Sequence, residues 1–74
     1  MVTGARLRAD REALGIKAID IAAVWDRDEA IISRIEAAAS VSPEKARAYR
    51  RALMALAKQR AAAKRDLIRE LAAL

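Results

Sequence analysis

All-α is the fold class this sequence predicts, and three observations carry the prediction. Between Gly15 and Glu36 apolar residues recur at helical spacing, as Ile16, Ala18, Ile21, Ala22 and Trp25, and, after the polar Asp26-Arg27-Asp28, as Ile31, Ile32 and Ile35. From Pro43 to Leu74 no Gly and no further Pro interrupts a run of Ala, Lys, Arg, Leu and Glu, all strong helix formers. Apolar residues make up 55% of the chain, yet Ala dominates them and the aromatics are Trp25 and Tyr49 alone, which favours slim, closely packed helices over a deep ligand pocket. The expected architecture is a compact core of three short helices, residues 1–56, arranged around a helix-turn-helix, plus a long C-terminal helix. The extension of that last helix, residues 57–74, is expected to serve dimerisation.

The first helix is expected over Gly4 to Leu14, with Leu7 and Leu14 facing inward, Val2 adding to that face, and Arg6, Arg8 and Arg11 on the exposed side. Gly15 ends it, because the chain must turn there through positive φ, and Ile16 re-enters the core. The second helix runs from about Lys17 to Val24 or Trp25. Asp26 is expected in the left-handed conformation of the turn, which Asp tolerates better than most residues. Asp28 is a suitable N-cap for the third helix, and Glu29 places a negative charge at its positive end. That helix is expected to continue through Glu36 into Ala37-Ala38-Ala39. Ser42-Pro43-Glu44 is a strong start for the fourth helix: a capping hydroxyl, Pro in the first turn and an acid near the dipole. One helix of about 30 residues, roughly 45 Å at 1.5 Å per residue, is expected rather than two with an unmarked bend. Ala46, Tyr49, Leu53, Leu56 and Ala57 form its first apolar stripe. Leu67, Ile68, Leu71 and Leu74 form a second one, too distant for this chain's own core to cover, and so point to a second copy.

Size and composition exclude several classes. Seventy-four residues make one small domain with a limited core. With no Cys and no His there is no disulfide framework, no usual zinc ligand set, and neither the common nucleophile nor the common base of hydrolases. No catalytic set, cofactor or metal is expected. No apolar run approaches the roughly 20 residues that span a bilayer, and no signal peptide is expected from Met1 to Asp10, so the reading is a cytoplasmic protein without a membrane partner. The formal charge of +5 suggests an anionic partner, but the charge is uneven. Residues 1–40 hold six basic and seven acidic side chains, and residues 41–74 hold nine basic and three acidic.

Several landmarks together resemble the lambda-repressor-like (Cro/repressor, XRE-type) helix-turn-helix family: Gly4-Ala5-Arg6-Leu7-Arg8 followed by Arg11 and Gly15-Ile16, the pair Ile21-Ala22, and Ile32-Ser33-Arg34-Ile35-Glu36. The resemblance spans Gly4 to about Leu56. It departs from the family pattern at Asp10, Lys17-Ala18, Asp26, the acidic start Asp28-Glu29, and Ala37-Ala38. It implies a dimeric, nucleoid-associated transcriptional regulator, of a kind common in phages and mobile elements, acting as a repressor by occupying a roughly palindromic operator. The third helices would sit in major grooves one helical turn apart.

On that reading the third helix supplies the base-reading candidates. Arg34 suits the O6 and N7 of guanine, Ile31 suits a thymine methyl, Ser33 suits either strand, and Glu29 suits cytosine N4, with Ala30 a further candidate on the same helix. Phosphate contacts fall to Lys17, Arg27 and Arg11, with Arg47, Arg50 and Arg51 from the long helix. Trp25 and Tyr49 are read as core. The partners are then double-stranded DNA and a second copy of the chain. The alternative is a scaffold that binds protein, an adaptor or antitoxin-like module touching DNA nonspecifically through the basic long helix. The near-neutral first half and the acidic start of the third helix favour this alternative.

Overall fold

The computed structural model describes all 74 residues and is all-α: α1 Gly4–Ala13, α2 Ala18–Trp25, α3 Glu29–Ala37 and α4 Pro43–Ala73. Each helix starts on a cap that the local sequence supplies. Thr3 Oγ1 accepts from the Arg6 N–H (3.1 Å), Asp28 Oδ1 from Ala30 (3.2 Å), and Ser42 Oγ from Lys45 (3.3 Å). At α2 the roles reverse, because Lys17 has no accepting side chain. Its own N–H instead donates to Asp20 Oδ2 at 3.2 Å. Gly15 turns at φ 67° and Asp26 at φ 54°, the two left-handed positions expected from the sequence.

The core is a single cluster of twelve apolar residues drawn from all four helices and from Ile16 and Val41 between them. Tyr49, Leu7, Ile21 and Ile32 are its fully enclosed side chains. Both α3 and α4 pack on α1 and α2, so α4 closes the small core that the first three helices leave open. No helix is long and apolar enough to cross a membrane.

Two expectations need correction. Leu14 does not face inward: it is about half exposed, at 51%. Helix α1 ends at Ala13, and Leu14 is its C-cap, bonded back to Asp10 and Arg11, so Ile16 takes the core position beyond the turn. Helix α3 stops at Ala37 rather than running on to Ala39. Ala38 is extended, its carbonyl accepts the Gly4 N–H (2.9 Å), and the Val41 N–H donates to the Val2 carbonyl (2.8 Å). This clasp, together with the isolated bridge between Val2 and Val41, draws the chain out of the helical path.

Helix α4 is continuous over 31 residues, about 46 Å at 1.5 Å per residue, and this accounts for the 50 × 22 × 17 Å dimensions of the molecule. Its last buried residue is Leu56, and its last anchor to the body is Arg60. That side chain donates to the Gly15 carbonyl (3.2 Å) and to Asp20 Oδ2 (2.8 Å). Beyond it the helix stands clear, with Leu67, Ile68 and Leu71 each more than half exposed.

Candidate nucleic-acid interface

Helix α3 has two faces. Ile32 and Ile35 are buried, while Glu29, Ala30, Ser33, Arg34 and Ala37 form one exposed stripe at the spacing of successive helical turns. Four of the five base-reading candidates therefore share a single open ridge. Ile31 does not belong fully to it, being half-buried and packed against the core.

A groove runs along each side of this ridge. The first, about 430 Å³, lies between α3 and the start of α4 and is bordered by Arg27, Arg34 and Lys45, with Trp25, Ile31, Ile35 and Val41 beneath and Ser40 and Ser42 at its end. The second lies toward α1 and the start of α2, with Arg8, Arg11, Ser33 and Glu36 among its lining residues. Cations thus flank the ridge on both sides: Arg27 and Lys45, unpaired, on one, and on the other Arg8, whose Nε donates to Glu12 Oε1 at 2.8 Å. Lys45, Arg8 and the two serines escape a reading of the sequence alone. Nothing in their local spacing marks them, and their relevance arises from where the start of α4 and the exposed side of α1 come to lie beside α3.

Arg27 is held over the Trp25 ring, its guanidinium carbon 6.0 Å from the ring centre, within cation–π range. Trp25 in turn meets Tyr49 edge to face, with ring centres 6.5 Å apart. The cation at the α2–α3 turn is therefore seated on the core through two aromatic rings. Lys17 is exposed at the start of α2. Its neighbour Asp20 has a lowered pKa, mainly through the Lys17 backbone N–H and then through the hydrogen bond from Arg60.

The remaining phosphate candidates do not converge on the ridge. Arg11 is largely enclosed and bound to Glu36 in a two-pronged pair, Nε to Oε2 at 2.8 Å and Nη2 to Oε1 at 2.9 Å, while Nη1 donates to the Ile16 carbonyl at 3.0 Å. Tyr49 Oη donates to the same Glu36 Oε2 at 2.6 Å. Three of the five guanidinium N–H groups are engaged in a side chain only 13% exposed, and the guanidinium is held in its charged form chiefly by the Glu36 hydrogen bond, against the effect of burial. Arg11, expected to meet a phosphate, is here engaged in holding α1 to α3 through Glu36. Arg50 is exposed but reaches back to Asp10 at 3.6 Å. Arg47 lies on the face of α4 opposite Tyr49, Leu53 and Leu56, and Arg51, one turn on, borders a groove with Val24 and Trp25 of α2, away from the α3 ridge.

The chain matches no protein-family model, no curated protein and no solved structure.

Proposed function

We propose that this chain is a sequence-specific double-stranded DNA-binding regulator of the lambda-repressor-like helix-turn-helix kind, acting in the cytoplasm on the nucleoid. The observation that carries the reading is the exposed α3 ridge of Ala30, Ser33 and Arg34, flanked on one side by two cations that no acid of the chain pairs, Arg27 and Lys45, and on the other by Arg8, which pairs with Glu12 on its own helix. A helix laid in a major groove presents its ridge to base edges and its flanks to the two phosphate backbones. Arg34, exposed and without an acid partner, supplies the bidentate donor for guanine, and Ser33 the adaptable one.

The test is enrichment of randomised duplexes, followed by fluorescence anisotropy of the winning site against a scrambled duplex at physiological salt. A preference of roughly 10³ or more is expected for a specific regulator. Arg34→Ala should remove about 1–3 kcal/mol of it, relaxing sequence choice at one position. Lys45→Ala should instead weaken all duplexes alike and reduce the salt dependence. Equal binding to both duplexes, indifferent to Arg34→Ala, would sink the reading.

The second element of the proposal is a homodimer formed through Leu67, Ile68, Leu71 and Leu74. Leu67, Leu71 and Leu74 lie on the same side of α4 as Leu53 and Leu56, with Ile68 at its edge, so the core-facing stripe continues past the body with nothing of this chain against it. Sedimentation of Leu67→Lys/Leu71→Lys is expected to show monomers where the native chain gives dimers, with helicity and unfolding of the body retained. A native chain that is monomeric at tens of micromolar would exclude this arrangement.

The adaptor reading keeps one observation in its favour, the acidic pair Asp28 and Glu29, both exposed at the start of α3. There they repel phosphate but suit a basic protein partner. Failure of the enrichment would bring this reading forward.

A further inference from the structure

The groove between α3 and the start of α4 combines two properties that a phosphate backbone does not use together. Its rim holds three cations, Arg27, Arg34 and Lys45, none ion-paired within the chain, and no acidic residue lines it. Its floor is apolar and includes the side of Trp25, with Ile31 and Val41. At about 430 Å³ it falls in the range of small-molecule clefts, roughly 300–1,000 Å³. An inorganic anion would satisfy the rim and leave the floor wet. An uncharged apolar molecule would cover the floor and leave three uncompensated charges at its edge.

We propose that this groove binds a small amphiphilic carboxylate, a ring-sized or branched apolar body on Trp25, Ile31 and Val41 with its carboxylate among Arg27, Arg34 and Lys45. Ion-assisted hydrogen bonds are the strong ones, and Arg matches a carboxylate with two parallel donors. The Ser40 and Ser42 hydroxyls at the end of the groove add short-range acceptors and donors for a polar substituent. Arg27 and Arg34 also belong to the surface proposed to meet DNA, so carboxylate and DNA exclude one another. This last consequence rests on the DNA-binding reading; the binding of the carboxylate does not.

Trp25 is the sole tryptophan and lines the groove, which makes its fluorescence a direct reporter. The experiment titrates the full chain with phenylbutyrate, with phenylbutanol (the same body without the charge), and with acetate (the charge without the body). Phenylbutyrate is expected to give a saturable change in Trp25 emission, with an affinity about tenfold or more above the alcohol, equivalent to about 1.4 kcal/mol. Acetate is expected to give none. Arg34→Gln/Lys45→Gln should bring the carboxylate down to the level of the alcohol, with a thermal unfolding midpoint close to the native one to show that the body is intact. No saturable change, equal affinity of acid and alcohol, or an unaltered response in the double variant would each overturn the proposal. Trp25 also borders a neighbouring groove with Val24 and Arg51, and a signal from there would survive the double variant and count against the site. Phenylbutyrate that binds without displacing the enriched duplex would overturn the mutual exclusion alone. A chain that selects no duplex yet binds phenylbutyrate would overturn the DNA reading and leave the site standing.

Discussion

Gly4→Ala is expected to destabilise the domain by about 3 kcal/mol, even though helix propensity alone argues for the opposite sign. Gly4 is the first residue of α1 and is buried. At an unencumbered helical position, replacing Gly by Ala would stabilise by roughly 0.5–1 kcal/mol. Here a Cβ would fall inside contact distance of the Ile35 carbonyl oxygen and 2.5 Å from that of Glu36. Both obstacles are backbone, so no rotamer change relieves them. Helix α1 must back away from α3, stretching the Gly4 N–H bond to Ala38 and the Arg11–Glu36 pair. Overpacking typically costs about 1–3 kcal/mol, and rigid backbone on the far side places this case at or above the upper end. A urea titration with a slope near 1 kcal/mol/M should show the midpoint falling by about 3 M. A midpoint that rises would show that α1 and α3 do not approach as described.

That close approach illustrates what the sequence could and could not reveal. Helix boundaries were legible wherever a local chemical signal set them: Gly15 and Asp26 at positive φ, the Asp28 cap, and Ser42-Pro43 opening an unbroken α4. Leu14 satisfies the periodicity, seven residues after Leu7, and yet lies outside the core. The turn at Gly15 ends the helix before that periodicity has any consequence. The end of α3 departs from the local pattern for a related reason. Alanine would continue a helix, but the clasp with Val2 and Gly4, formed by residues distant in sequence, fixes the chain at Ala38. Local pattern is decisive only where no distant partner competes.

The site divides along the same line. Exposure of Glu29, Ala30, Ser33 and Arg34 follows from the 3.6-residue repeat once Ile32 and Ile35 are buried, and was legible. Which cations stand beside them was not. Arg11 and Arg34 look alike as sequence, yet one is bound on three sides by Glu36 and Ile16 and the other is open. Lys45 and Arg8 acquire their positions only through the packing of α4 and α1. Charge content was therefore readable and charge placement was not, because placement is a property of the tertiary contacts.

Removing the Glu36 carboxylate is expected to have the largest single effect. The side chains of Arg11 and Glu36 are only 13% and 8% exposed, and Tyr49 is fully enclosed. Glu36→Ala would leave the Arg11 guanidinium and the Tyr49 hydroxyl without their common acceptor in a poorly solvated place. Breaking a buried pair from one side costs about 3–5 kcal/mol, against a total stability of about 4–11 kcal/mol for a domain of this length. The variant should be substantially unfolded at 37 °C by circular dichroism. Arg11→Met/Glu36→Leu should recover most of the loss, because the penalty lies in the orphaned charge more than in the missing attraction. Burial alone would raise the Glu36 carboxyl, but the hydrogen bonds from Arg11 and Tyr49 together outweigh it and hold the pKa below the ordinary value. For Tyr49, burial and then the bond to Glu36 raise the phenol well above its usual range. The linkage follows in sign. A lowered carboxyl contributes stability that is present above the usual glutamate value, about 4.3, and lost as pH falls through the folded pKa. A raised phenol contributes stability that is present below about pH 10 and lost as pH rises through the folded pKa. Stability should therefore hold level between these limits and fall at both ends. Glu36→Gln should lower the whole profile and flatten its acid limb, while Tyr49→Phe should flatten the alkaline one. An acid limb of unchanged depth in Glu36→Gln, with the neutral-pH midpoint retained, would show that α1 is held to α3 by packing and not by this carboxylate.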